Sequence, residues 1–344
     1  MASAARLPVE SLGYHSVPLP QLQEALARYL ATYRSLSVDP EQIIITSSTR
    51  QSLLLAATLY ADPGDLAWVE SPGYQGAVDA FRTQGLTLAA KSVDRSGCML
   101  EFEPSEKSPA IIYLTPCFQY PTGAPLDAQR RMQLLSFARI HRSVIFEDDY
   151  DSEFRDDSQA RPALAAQQTG ESPIVLHAGT FSKLIFPAAR IAWLVVPKAH
   201  VERANQCLRT LGGAHNSVAQ ATIAEIINNG SLAKHLQRAR GVYSQRCEAL
   251  LKALDATGLF LPITDACGSL SLVARLSNPM CRKALRVQLA EQRIGAQFLE
   301  ELVWESAPTD KVSALVLGLG NVSTLKVPET VGRLERALLS CESC

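Results

Sequence analysis

The sequence predicts an α/β protein. Its large domain is a mostly parallel sheet flanked by helices, and a smaller C-terminal α+β domain follows. Three observations carry that expectation. Short apolar runs of strand length alternate with segments of helical periodicity as far as Pro197, which is the pattern of strands buried on both faces. From about residue 216 the alternation gives way to a long helical stretch and then to a second, smaller mixture of strands and helices. Finally, 344 residues exceed what one hydrophobic core ordinarily serves. The expected division places 1–230 in the large domain and 231–344 in a connecting helix and the small domain.

Residues 20–34, PQLQEALARYLATYR, set apolar side chains at 22, 25, 26, 29, 30 and 33, the spacing of one helix face. QIIIT reads as a buried strand ending at Thr46. A helix over about 50–61 follows, closed by the turn DPGD. LAWVE is the next strand, SPGY a turn, and a further helix runs to about 84. AIIYLT, SVIFED, PIVLHAG and IAWLVV complete the strands of the large domain, with a helix over about 127–141 between two of them. Past 216 the helical stretch breaks near NNGS and resumes through LAKHLQRARGVYSQRCEALLKAL. SLSLVARL and SALVLGLG then read as strands, and about 280–292 and 327–340 as helices.

A formal charge of −1 supplies no global field to attract nucleic acid or an anionic membrane, so this chain alone is not expected to bind DNA. Eight cysteines are scattered, most of them inside apolar patterns, as suits a reducing cytoplasm. The terminal CESC has no second pair or histidine cluster near it and reads as a frayed tail. No 18-residue apolar run and no signal-type h-region occur. The expectation is a cytoplasmic protein with no membrane partner.

Ligands of open α/β sheets gather beyond the carboxyl ends of the strands, and three stretches there carry chemistry. In ITSSTRQSL, a strand ends, the hydroxyl residues Ser47, Ser48 and Thr49 follow, and a helix starts at about Arg50. Free N–H groups and the positive dipole end would seat a phosphate there, although an ordinary hydroxyl cap would look the same. In SVIFEDDYDSEF, a strand runs into Glu147, Asp148, Asp149 and Asp151, with Tyr150 among them. So many acids repel unless a cation or a cationic heterocycle shares the site. The rival readings are a hard metal ion and solvated loop charge. In HAGTFSKLIFPAARIAWLVVP, Lys183 stands beside Thr180 and Ser182 after a strand, and Arg190 opens the next. Partial burial at a strand end would make the amine a nucleophile toward aldehydes, and the guanidinium fork suits a phosphate. A snorkelling surface lysine is the bland alternative.

Together these stretches ask for one ligand with a phosphate, an aldehyde and a basic ring nitrogen. Pyridoxal 5′-phosphate has all three. The wording EDDYDSEF, GTFSK, FPAAR, DPGD with WVESPGY, and HLQRAR resembles the fold-type I aminotransferases, and among them the aminotransferase-like domain of MocR/GabR-type transcription regulators, over about residues 13–340. The resemblance implies Lys183 as the Schiff-base lysine and Asp148 as partner of the pyridine nitrogen. It implies Tyr150 at the cofactor's phenolic oxygen and Tyr74 stacked on the ring. Ser48, Thr49, Arg50, Thr180, Ser182 and Arg190 would surround the phosphate. It also implies a homodimer in which a partner tyrosine, with Tyr14 the candidate, reaches the phosphate.

The sequence departs from the enzyme pattern at three places. CFQYPTG has Tyr120 where ordinary aminotransferases have asparagine, SALVLGLG offers Val316 where they carry an arginine for the substrate carboxylate, and SSTRQSL replaces a small-residue phosphate seat. An apolar residue cannot replace a bidentate fork. RLPVESLGY resembles the end of the linker that follows a winged helix-turn-helix in the regulators. The expectation is therefore a fragment of a longer regulator, or a chain that has lost its reader domain: a sensing domain that takes an amine or amino acid and reaches DNA only through that N-terminal module. The alternative is a working aminotransferase.

Overall fold

The computed structural model describes residues 18–102, 107–154, 161–168, 170, 174–213, 216–262, 270–305 and 310–341. In chain order the first part runs α1 (Pro20–Arg34), β1 (Ile43–Thr46), α2 (Thr49–Tyr60), β2 (Leu66–Ser71), α3 (Gln75–Thr83), β3 (Thr87–Asp94), β4 (Gly97–Cys98) and β5 (Ile111–Leu114). It continues through α4 (Ala128–His141), β6 (Val144–Asp149), β7 (Val175–Thr180), α5 (Phe181–Leu184), β8 (Ala192–Val195), α6 (Val201–Thr210), α7 (Ser217–Asn228) and α8 (Ser231–Asp255). The last part is β9 (Ser271–Cys281), α9 (Arg282–Glu291), β10 (Gln297–Phe298), β11 (Lys311–Gly318) and α10 (Val327–Leu339).

Strands β1 to β8 form one sheet in the order β1-β8-β7-β6-β5-β2-β3-β4. The ladders β2/β3, β2/β5, β5/β6 and β6/β7 are parallel. β8 is antiparallel to both its neighbours, so β1 still points the same way as β7, and their carboxyl ends share one edge of the sheet. β9, β10 and β11 make a separate antiparallel sheet.

Strands β1, β5, β6, β7 and β8 are buried at every position, which explains the apolar runs by which they read as strands. Ile44, Tyr113, Phe146, Ala178 and Leu194 pack on one face against Leu53, Ala56, Phe81 and Leu208 of α2, α3 and α6. On the other face Ile43, Ile45, Trp193 and Val195 meet Leu22, Leu26, Leu30 and Ile223 of α1 and α7. Ile112, Leu114 and Ile145 meet Leu134 and Ala138 of α4. α8 joins two cores, giving Leu232 and Leu236 to that second face and Cys247 and Leu254 to the core of the small sheet.

The structure adds β3, β4 and the short β10 to the expected strands. TLAAKSVD lies second from the sheet edge and is mostly half-exposed, so burial did not impose on it the apolar run that marks the others. The break at NNGS is a left-handed Gly230, φ 74°, which caps the start of α8. β9 runs on to Cys281, with a register irregularity opposite Val312 and Ala314. Among the described residues no helix is long and apolar enough to cross a membrane.

Candidate active site

The three acids that end β6 do not fan around one point, because successive side chains of a strand leave on opposite faces. Glu147 accepts the backbone N–H groups of Leu164 (2.6 Å) and Ala165 (3.0 Å), with His177 Nδ1 at 3.3 Å. Burial alone would raise its pKa, but His177, Arg34 and the Leu164 N–H outweigh burial and hold it at about 2. Asp149 receives Arg34 Nε at 2.5 Å, with both side chains almost wholly buried, and Arg34 also donates to the carbonyl of Arg161 at 3.0 Å. Glu147 and Asp149 are therefore committed to the fold. Neighbouring cations and N–H donors relieve the repulsion that the sequence poses.

Asp148 stands apart. Its Oδ2 accepts the neutral Tyr113 hydroxyl at 2.9 Å rather than a cation, while its Oδ1, like Asp149 Oδ1, is buried with no hydrogen-bond partner among the described residues. Burial pushes its carboxyl up to about 7, and Asp149 adds to the effect. Tyr113, His177 and Lys183 pull the other way.

Lys183 lies on α5, the single turn that follows β7. Thr180 caps this turn, its hydroxyl accepting the Ser182 N–H at 3.1 Å. Phe181 and Leu184 point into the core and Lys183 is exposed. The partial burial expected from sequence is not found, because a one-turn helix with buried first and last residues leaves its third outward. Arg190 does not open β8. It is exposed, two residues ahead of the strand, at φ 50° after the turn Pro187–Ala189.

At the end of β1, Ser48 is the N-cap of α2 and accepts the Gln51 N–H at 3.3 Å, while Gln51 Oε1 takes the Ser47 N–H at 2.7 Å. Thr49 starts the helix and is half-buried; Arg50 is exposed, 3.7 Å from Asp79 and near enough to Tyr74 to oppose the rise in that phenol's pKa. The SSTR segment thus acts as a helix cap in its own right, and it still presents the helix start at the shared sheet edge.

Tyr74, Tyr120 and Tyr150 form an aromatic row, with edge-on ring centroids at 6.5 and 6.2 Å. Tyr74 can lie flat against α3 because residue 76 is glycine: a Cβ there would stand 2.3 Å from its ring. The Tyr120 hydroxyl donates to Gln297 Oε1 at 3.0 Å, joining the large sheet's edge to the small one. Gln297 is paired with Val316 in the β10/β11 register. Val316 is buried among Leu299, Leu302 and Ala314, and Tyr120 packs on that cluster. Tyr14 lies outside the described residues. Sequence reasoning missed Tyr113, Arg34, His177 and Gln297. Only Tyr113 had left a signal, as a phenol inside an otherwise apolar strand that needs a polar partner when buried.

The family model of class I and II aminotransferases matches residues 8–300. This chain belongs to the class I and II aminotransferases. Its fold agrees: LysN, an α-aminoadipate aminotransferase of Thermus thermophilus solved with N-(5′-phosphopyridoxyl)-L-leucine, matches with a TM-score of 0.86 at 26% identity, covering 98% of this chain and 87% of that one. In sequence, this aminotransferase-family chain is 33% identical over 335 residues to MocR of Rhizobium meliloti, named for regulation of rhizopine catabolism, covering 96% of this chain and 66% of that protein. It is also 33% identical over 228 residues to 2-aminoadipate transaminase of Thermus thermophilus, covering 64% of this chain and 56% of the enzyme. The chain spans about two thirds of the length of the regulators it matches.

Family and fold imply pyridoxal phosphate as cofactor. The donor set fits that group. A buried carboxylate oxygen without a partner, an exposed lysine near enough to lower the pKa of the same carboxyl, and a capped helix start share one edge of the sheet.

Proposed function

We propose that this chain is the effector-sensing domain of a MocR/GabR-type regulator, holding pyridoxal phosphate at Lys183 and exchanging that bond for one to an amino compound. Residues 1–230 would carry the cofactor, and 231–344 would close over the ligand. The bound cofactor supplies an aldehyde for a primary amine and a ring nitrogen that withdraws electrons. Lys183 would hold the aldehyde carbon. Asp148 would accept the ring N–H through Oδ1, Tyr74 would stack on the ring, and Tyr150 would meet the phenolic oxygen. Ser48, Thr49, Arg50, Thr180, Ser182 and Arg190 would gather at the phosphate. A homodimer in the cytoplasm, reaching DNA through a separate N-terminal module, completes the reading.

The observation that carries sensing over catalysis is the small-domain wall. Val316 is buried and packed by Tyr120, and its strand neighbour Gln297 accepts the Tyr120 hydroxyl. That wall offers a neutral surface where a guanidinium would clamp a substrate carboxylate. A loosely held amino acid would bind with its Cα–H bond rarely aligned for cleavage, and a misplacement of about 1 Å can cost on the order of a hundredfold in rate. The similarity to 2-aminoadipate transaminase favours the second reading, a working aminotransferase.

Two measurements on the purified protein separate these readings. Borohydride reduction with pyridoxal phosphate should leave a pyridoxyl group on Lys183, read by peptide mass spectrometry, and Lys183→Ala should abolish it. Titration with α- and ω-amino acids and amines should then shift the absorbance with little pyridoxamine phosphate formed. Rapid stoichiometric pyridoxamine phosphate with any of them makes the chain an aminotransferase, and no adduct at 183 removes the cofactor reading.

A further inference from the structure

Tyr113 is the third residue of β5, pairs with Phe146 across the parallel ladder, and stacks on its ring at 6.0 Å. Phenol and ring are fully buried in the core between the sheet and α2. From that fixed position the hydroxyl reaches past Phe146 to Asp148 Oδ2 at 2.9 Å. A carboxylate is planar, so pinning one oxygen leaves one direction for the other. That other oxygen, Oδ1, is buried and has no hydrogen-bond partner among the described residues. Burial and the neighbouring Asp148 raise the Tyr113 pKa well above its ordinary value, so the phenol keeps its proton and remains a donor.

We propose that Tyr113 is a positioning residue for the cofactor's ring nitrogen: its hydroxyl sets the rotation of the Asp148 carboxylate and favours its ionised form, so that Oδ1 stands ready to accept the ring N–H. This rests on the pyridoxal phosphate reading above. Without the hydroxyl, burial and Asp149 act on Asp148 with less opposition, the carboxyl keeps its proton to higher pH, and its plane is free to turn. A protonated carboxyl in that position is a donor, and it no longer favours a protonated ring nitrogen.

The test is Tyr113→Phe, which keeps the ring on Phe146, in wild-type and Asp148→Asn backgrounds. In the cofactor-free full chain, carboxyl 13C NMR with Asp148→Asn as the assignment reference should show the Asp148 titration moving to higher pH. Binding of pyridoxal phosphate near pH 7.5 should weaken roughly ten- to a hundredfold, the range that a hydrogen bond to a charged group is worth. In the Asp148→Asn background the same change should alter affinity by less than about threefold, since a residue acting through Asp148 has nothing left to act on. An equal loss in both backgrounds would make Tyr113 a packing residue and overturn the proposal, as would an Asp148 titration that does not move. The NMR titration needs no cofactor. A wild-type chain that binds no pyridoxal phosphate would therefore sink the cofactor reading, while the hold of Tyr113 on Asp148 is decided separately.

Discussion

Asp148→Asn and Asp149→Asn should change stability in opposite directions, although the residues are adjacent and the substitution is the same. Asp148 is held at about 7 against an ordinary 3.8. The folded chain therefore keeps a proton that the unfolded chain has already released. Its stabilising share is present below about pH 4 and is lost as pH rises through about 7. At 1.36 kcal/mol per pH unit, that span caps the loss at about 4 kcal/mol, and relaxation of a real interior brings it nearer 2 kcal/mol. Asp148→Asn removes the titrating group. The cofactor-free variant should thus be more stable than wild type by about 2 kcal/mol at pH 8 and nearly equal to it at pH 4.5. Asp149→Asn does the reverse. It strips the countercharge from a guanidinium with 4% side-chain exposure, 2.5 Å away. Breaking a buried pair from one side costs about 3–5 kcal/mol. Urea unfolding followed by circular dichroism, with cofactor removed so that binding adds nothing to stability, reads both at each pH. If Asp148→Asn destabilises as much as Asp149→Asn at pH 8, or if its advantage does not change with pH, the division of labour along β6 is wrong.

Glu147 titrates with the opposite sign. Its pKa is lowered from 4.5 to about 2, so its contribution is present above pH 4.5 and disappears as pH falls toward 2. Glu147→Gln should lie about 2–3 kcal/mol below wild type at pH 6 and converge with it near pH 2.5, as read from urea midpoints. Gly179→Ala sets a methyl 2.1 Å from the buried Trp193 ring. A loss of about 2–3 kcal/mol on thermal unfolding is expected, and an unchanged melting temperature would contradict the packing. Arg50 is already engaged by Asp79 and Tyr74. Arg190→Ala should therefore weaken pyridoxal phosphate more than Arg50→Ala, by about tenfold, the scale of one charge-assisted contact. Unphosphorylated pyridoxal serves as the control and should bind both variants alike.

The strands buried at every position were legible because burial on both faces forces an apolar run, and III, IIYL, VIF and AWLV admit little else. The helices announced themselves by spacing, as in α1, whose predicted and observed limits coincide. β3 was illegible for the converse reason: partial exposure relaxes the demand for apolar residues. The residues at the strand ends could be picked from the sequence because a carboxylate run or a lone lysine interrupts an apolar pattern. What each one does there could not. Three acids in a row look alike until the strand alternates them. Then Glu147 finds His177 thirty residues on and Asp149 finds Arg34 on α1. Asp148 is left holding a neutral phenol, with its Oδ1 buried and without a hydrogen-bond partner among the described residues. Its own partner, Tyr113, lies 35 residues earlier in a different strand. Likewise Tyr120 meets Gln297 across 177 residues. Sequence patterning records how deeply each residue must be buried, a local demand. Which charge is neutralised, and which is left for a ligand, depends on pairings between strands and helices that only the folded sheet brings within hydrogen-bond distance.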